Sequence, residues 1–291
     1  LLAALTDALA VTGIRIETAL ANRNSPPFVQ DVLAGLAGRG HRRVLAVATS
    51  AYPGYSGCRQ YREDLGLALA GTDLGLDVRK LSPFHDLPAF PGAIAERLLG
   101  CLPADLDLGA DGTRLVFTTH SIPEAAAATA GPDGGAYLGE HRRVAAEVVA
   151  LVAAATGSVL PWDLVFQSRS GPPTVPWLEP DVNDALRGYA ATGATDVVLV
   201  PLGFLSDHME VIWDLDTQAR ETAAEVGIRL VRTPTVGTHP GFVAGLADRI
   251  ATELRTGSPE PGPGEYCHGG CCANPRREAP VVPGTSPGPV R

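Results

Sequence analysis

Short runs of aliphatic and β-branched residues alternate with longer helical patterns along this 291-residue chain, and that alternation limits its fold more than any other feature. The strand-like runs are "RIETALA" (15–21), "RRVLAVATS" (42–50), "LDVRKL" (76–81), "TRLVFTT" (113–119), "DLVFQS" (163–168), "DVVLVPL" (196–202) and "IRLVRTPT" (228–235). Most are apolar throughout, as strands covered on both faces are. Helical periodicity fills 26–38, 88–101, 138–155, 180–191, 207–226 and 240–256. A strand followed by a helix and another strand closes into a parallel crossover, so the pattern predicts an α/β fold with parallel sheets.

The Gly- and Asp-rich stretch 102–112 divides the strands into three and four. "LLAALTDALAVTG" reads as the end of an amphipathic helix already under way, and Met209 is the sole methionine. The expectation is therefore an N-terminally truncated chain with two Rossmann-like halves around parallel four-stranded sheets, the first incomplete. The halves are expected at 1–107 and 108–239, with helix 240–256 packing back on the first. Residues 257–291 hold eight of the 25 prolines. Such a tail buries too little apolar surface to fold alone and would need an external staple.

A net charge of −9 argues against a nucleic-acid partner and against anionic lipid surfaces. The most apolar helical stretch, 144–160, carries Glu147 and reads as a buried helix, so no integral membrane segment is expected. Five cysteines are too few, and odd in number, for a disulfide scaffold. Cys267, Cys271 and Cys272 crowd into six residues, which favours metal binding in a reducing compartment.

Ligands of parallel α/β sheets bind beyond the carboxyl ends of the strands. "FTTHSIPE" puts His120 there, and "SDHMEVIWDLD" puts Asp207, His208 and Glu210 there. On a regular helix Asp207, Glu210, Asp214, Gln218 and Glu221 share one face. Val211, Ile212, Leu215 and Ala219 share the core side, with His208 turned toward it. The same residues also read as capping boxes, Ser121 with Glu124 and Asp207 with Glu210, on a solvated acidic face. One histidine plus a carboxylate row without thiols suits a hard or borderline cation that is taken up and released. In 166–182, Trp177 and Leu178 offer an apolar wall for a flat ligand, or only a packed loop. "TSAYPGYSGCRQYRED" (49–64) offers tyrosines for an aromatic ligand and arginines for carboxylates, or only a solvated charge run.

Taken together, "TTHSIP", "FQSRSGPPTVPWLEPDV", "VPLGFLSDHMEVIWDLD" and "PTVGTHPGFV" resemble the ferrochelatase family over nearly the whole chain. The resemblance implies a chelatase-like fold with a porphyrin in the cleft between two halves, and insertion of Fe²⁺ as substrate in haem biosynthesis. It gives His120 and Glu210 the catalytic and iron-handling roles, one on each face of the macrocycle, with Asp207 and His208 beside Glu210. Asp214 continues the family's acidic row, and Gln218 departs from it. Tyr61 matches a porphyrin-contacting tyrosine.

The resemblance extends to members with a [2Fe–2S] cluster on one internal and three C-terminal cysteines, here Cys58, Cys267, Cys271 and Cys272. Cys101 reads instead as a core residue. Gly, Ala and Pro content fits an actinobacterial source, and in that group coproporphyrin III is favoured over protoporphyrin IX. A monomeric cytoplasmic enzyme is implied. The alternatives are a cobalt or nickel chelatase for a related tetrapyrrole and a non-catalytic haem- or iron-binding sensor.

Overall fold

The computed structural model describes residues 1–257, 261–262, 264–274 and 278–286. The chain divides into two compact units. One comprises Leu1–Asp86, Ala127–Tyr137 and the chain from Val243; the other comprises Leu87–Ala126 and Leu138–Phe242. The first break thus falls after Asp86, ahead of the 102–112 stretch, and helix 89–101 belongs with the second unit.

In the first unit α1 (Leu2–Val11) and α2 (Val29–Gly38) precede β1 (Arg43–Ala46). A π-helical turn (Tyr55–Arg59) runs into α3 (Gln60–Leu69), followed by β2 (Asp77–Lys80). β1 and β2 pair in parallel, Arg43 opposite Asp77 through Ala46 opposite Lys80. Leu33, Leu65, Val78 and Val282 form the buried centre. Residues 15–21 are not a strand. Their polar members are engaged locally instead: Glu17 pairs with Arg39 and His41, each at 2.7 Å, and Thr18 bonds Thr6.

The segment 49–64 also departs from expectation, because it is largely helical and three of its four charges are buried. Arg62 and Glu63 are each 1% exposed. Arg59 pairs with Glu63 one helical turn on, at 3.1 Å. Arg62 reaches the far end of the sequence, donating through Nε to the Val282 carbonyl at 2.8 Å. Sequence neighbours do not show this burial, because Arg59 and Arg62 also donate to carbonyls more than two hundred residues away.

The C-terminal segment is docked by its own backbone. Lys80 N–H donates to Pro283 O at 3.0 Å, and Thr285 N–H donates to Lys80 O at 2.9 Å, so Gly284 lies alongside β2 as an added strand would. Val282 N–H donates to Arg62 O at 3.2 Å. An edge strand offers unpaired donors and acceptors, and the tail takes them up. A staple is therefore not the whole of what holds it.

The second unit contains α4 (Ala89–Cys101), β3 (Thr113–His120), α5 (Glu124–Ala128), α6 (Ala136–Thr156), β4 (Trp162–Gln167), α7 (Val182–Ala191) and β5 (Asp196–Val200). Next come α8 (Met209–Val211), a π-helix (Ile212–Gln218), α9 (Ala219–Val226), β6 (Arg229–Arg232) and α10 (Pro240–Thr256). α5, α6 and α10 cross the boundary between the units. The four strands are all parallel, in the order β4-β3-β5-β6. Leu115, Val116, Phe117, Val165 and Val197–Val200 are essentially inaccessible, as expected of a doubly covered sheet. Asp181 caps α7 by accepting from Asn183 N–H at 2.8 Å, and Gly227 ends α9 at φ 75°.

A Cβ at Gly66 would lie 2.3 Å from the Pro280 carbonyl oxygen. Gly66→Ala should therefore push 278–286 off α3 and cost about 1–3 kcal/mol. Hydrogen exchange at Thr285 and Lys80 amides should accelerate in that variant; unchanged protection would contradict the docking.

Candidate functional site

In the second unit the carboxyl ends of β3 and β4 lie side by side, with His120 opposite Gln167 in the ladder. Beyond β5 the chain turns at Gly203, whose N–H donates to Thr118 O at 3.1 Å. A Cβ at Gly203 would lie 2.0 Å from Thr119 Oγ1, so only glycine allows this approach. That turn brings the helix starting at Met209 toward the end of β3.

His120 Nε2 lies 3.6 Å from Glu210 Oε1. Both side chains are partly open to solvent, 34% and 48%. Nδ1 of His120 donates to the Ser121 carbonyl. In the neutral ring this leaves the Nε2 lone pair directed at Glu210, the tautomer suited to binding a cation or taking up a proton. The two groups do not face each other across a disc-wide gap. A ring held between them would need roughly 7 Å, two van der Waals contacts of about 3.5 Å each. At 3.6 Å the two groups converge on the same point.

The acidic row is only partly as expected. Buried Val211, Leu215, Ala219 and Ala223 recur every four residues, and the π-helix widens the turn so that this spacing holds. Ile212, placed on the core side by a regular helix, is exposed instead. His208 is exposed as well; it is the N-cap of α8, its Nδ1 accepting from Val211 N–H at 3.5 Å. Asp207 is drawn away from the row. Arg232, 8% exposed, donates to Asp207 at 2.7 Å and grips Asp216 with two bonds of 3.0 and 2.6 Å. Thr235 Oγ1 also donates to Asp207, at 3.1 Å. Gln218 and Glu221 are exposed.

Asp214 stays close to the strand ends. It accepts from Gln167 Nε2 at 3.1 Å and from Ser168 Oγ. Gln167 is fully buried and accepts in turn from Thr118 Oγ1 at 3.0 Å. Ser168 holds φ 62°, a left-handed conformation that is costly for a non-glycine residue. Gln167 and Ser168 lie within a segment that the sequence singles out, and the hydrogen bonds of the folded chain make them partners of Asp214.

The loop after β4 is pinned beside His120. Leu178 N–H donates to Ile122 O at 3.0 Å, Ser121 Oγ donates to Leu178 O at 2.8 Å, and Glu124 N–H donates to Pro176 O at 3.1 Å. Ser121 thus anchors this loop through its hydroxyl. Trp177 and Leu178 are half-buried there.

Tyr61 lies on α3 in the first unit, with the Arg23 guanidinium 5.1 Å from its ring centre. The arginines proposed for ligand carboxylates are committed elsewhere: Arg59 Nη1 donates to Gly269 O at 2.5 Å, and Arg62 Nη1 to His268 O at 3.1 Å.

The same unit gathers the four cysteines of the C-terminal plan, all buried, while Cys101 is half-buried at the end of α4. They form two pairs: Cys58 Sγ to Cys267 Sγ at 3.7 Å, and Cys271 Sγ to Cys272 Sγ at 3.6 Å. Gly131 N–H donates to Cys272 Sγ at 3.1 Å. Sharing a hydrogen bond with Cys267, and helped by Lys80 and Arg62, lowers the Cys58 thiol to about 5 against its burial. The same bond and burial push Cys267 well up. Cys271 is lowered to about 7 by Cys272, which is raised in turn. Among the described residues, no three metal-ligating side chains converge as a ready single-ion site. Two sulfurs on one tetrahedral metal at about 2.3 Å stand roughly 3.8 Å apart, so each pair fits one metal of a binuclear group.

A sequence profile of the ferrochelatase family matches residues 1–254. The chain belongs to the ferrochelatase family. Among its relatives, the coproporphyrin III ferrochelatase of Propionibacterium freudenreichii subsp. freudenreichii is 46% identical over 300 residues, covering 99% of this chain and 83% of the relative. That of Streptomyces griseus subsp. griseus is 45% identical over 291 residues, covering 94% and 78%. The ferrochelatase fold is also similar to SirB from Bacillus subtilis with Fe³⁺, at TM-score 0.56 and 11% identity over 88% of this chain and 90% of that one. The sirohydrochlorin chelatase SirB in complex with cobalt gives TM-score 0.51 at 10% identity, over 88% and 91%. At such identities the likeness is one of fold. No helix among the described residues is long and apolar enough to cross a membrane.

Arg232→Met should leave two carboxylates without their cation and lower stability by about 1–3 kcal/mol, less than for a fully buried pair because both acids are partly exposed. Urea unfolding reads this directly; a loss below about 0.5 kcal/mol would show that Arg232 does not hold Asp207 and Asp216 in place.

Proposed function

We propose that this ferrochelatase inserts Fe²⁺ into coproporphyrin III, with His120 and Glu210 receiving the metal and the displaced protons. The observation that carries this reading is the 3.6 Å separation of His120 Nε2 and Glu210 Oε1, with Nδ1 already committed to a carbonyl. Two ligands each about 2.1 Å from one cation stand roughly 3–4 Å apart, so the pair fits a shared ion without rearrangement. The names of the relatives support coproporphyrin III as the porphyrin.

Metallation breaks two pyrrole N–H bonds and forms bonds from nitrogen to iron. One Fe²⁺ replaces two protons, so the macrocycle's charge is unchanged. His120 Nε2 and the Glu210 carboxylate hold the incoming ion. As it passes to the ring nitrogens, the same two atoms become free to take the leaving protons. Asp214, held by Gln167 and Ser168, supplies a fixed negative charge behind Glu210 for either traffic. Tyr61 is proposed as a porphyrin contact.

We also propose that Cys58, Cys267, Cys271 and Cys272 ligate a [2Fe–2S] cluster, two thiolates to each iron. The thiol pairing, complete burial and adjacent cations support this. The cluster would supply a covalent tie between the π-helical turn and the C-terminal segment. Five free thiols suit a reducing compartment, the cytoplasm.

Anaerobic incubation with Fe²⁺ and coproporphyrin III or protoporphyrin IX, followed by absorbance, tests the reading. Coproporphyrin III should be metallated faster. His120→Ala and Glu210→Gln should each slow metallation at least about 100-fold while porphyrin still quenches protein fluorescence. Wild-type rates in either variant would remove that residue from the mechanism.

A further inference from the structure

A buried lysine stands beside the cysteine quartet, with no carboxylate partner among the described residues. Lys80 is 2% exposed. Its Nζ lies 3.6 Å from Cys58 Sγ and donates to the Leu81 carbonyl at 2.8 Å. Arg62, 1% exposed, directs its guanidinium at two backbone carbonyls of the C-terminal segment, Val282 and His268. Among the described residues no carboxylate lies within ion-pair distance of either group. Arg59 differs, since Glu63 neutralises it at 3.1 Å.

Two buried cations without an anion are expensive, several kcal/mol each even after relaxation. Carbonyl dipoles reduce that cost but carry no net charge. The sulfurs of the cysteine quartet are the groups at hand that can carry formal negative charge. An oxidised core of two ferric ions and two sulfides on four thiolates has two negative charges in all, matching Lys80 and Arg62.

We propose that Lys80 and Arg62 are the counter-charges of the cluster, and that Lys80, in contact with a ligand sulfur, holds its reduction potential up. This rests on the cluster assignment made above. Lys80 is a positioning residue: it is buried, and it acts by charge on the ligand sulfur.

The test uses the full chain isolated anaerobically as wild type, Lys80→Met and Lys80→Arg. Iron, acid-labile sulfide and visible absorbance report the cluster, and a dye-mediated titration gives its potential. Lys80→Met should lower the reduced-to-oxidised ratio at fixed potential at least about tenfold, a shift of about 59 mV for one electron, while Lys80→Arg stays near wild type. Loss of the cluster in Lys80→Met with retention in Lys80→Arg would support the same role. A wild-type potential in Lys80→Met, or equal damage in both variants, would overturn it. A wild-type protein with neither iron nor sulfide would instead sink the cluster assignment, and this inference with it, before any variant is compared.

Discussion

The parallel pairing of β3 with β4 and β5 is the constraint from which the candidate site follows. Its register sets His120 opposite Gln167, and the extension of β5 through Gly203 runs close against Thr119. Without that register the imidazole, the glutamine that orients Asp214 and the helix bearing Glu210 would have no common edge. The fully buried Phe117 and Leu199 hold the sheet between its covering helices, so the polar groups at its rim stand on a rigid base.

Charge in this chain is arranged in two different ways. Around Glu210 the carboxylates are graded. Asp207 and Asp216 are neutralised by Arg232, Asp214 is held by neutral donors, and Glu210 pairs with His120. Around the thiols the excess among the described residues is positive, with no carboxylate there at ion-pair distance from Lys80 or Arg62. A cation that must be delivered favours the first arrangement, and an anionic resident group favours the second. The same −9 net charge conceals both.

Most of the second unit was legible in the sequence because its strands are continuous apolar runs and its helices are long and periodic. The six strands observed among the described residues each fall within an expected run or overrun it by one residue, β3 extending to His120 and β4 starting at Trp162, and helix 240–256 matches to the residue. The failures have physical causes. Residues 15–21 carry a strand-like composition but find local side-chain partners instead of a ladder. Arg59 and Arg62 look solvated when only neighbours are considered, yet both donate to carbonyls of the C-terminal segment, and Glu63 is buried against Arg59. His208 and Ile212 were misplaced because a regular 3.6-residue helix was assumed where a cap and a π-helix occur. His120 and Glu210 were legible as polar groups beyond strand ends, their roles being what the family resemblance implies. Their direct contact was not, since side-chain separation depends on the turn at Gly203, which periodicity does not encode.

The central claim is that one cation is held jointly by the imidazole of His120 at the end of β3 and the carboxylate of Glu210 on α8. X-ray absorption at the zinc edge, on protein given one equivalent of Zn²⁺ without porphyrin, tests it most directly. A nitrogen and oxygen shell near about 2.0–2.1 Å with imidazole scattering is the predicted result, lost in both His120→Ala and Glu210→Gln. A shell unaltered by both substitutions, or one made of sulfur at about 2.3 Å, would contradict it.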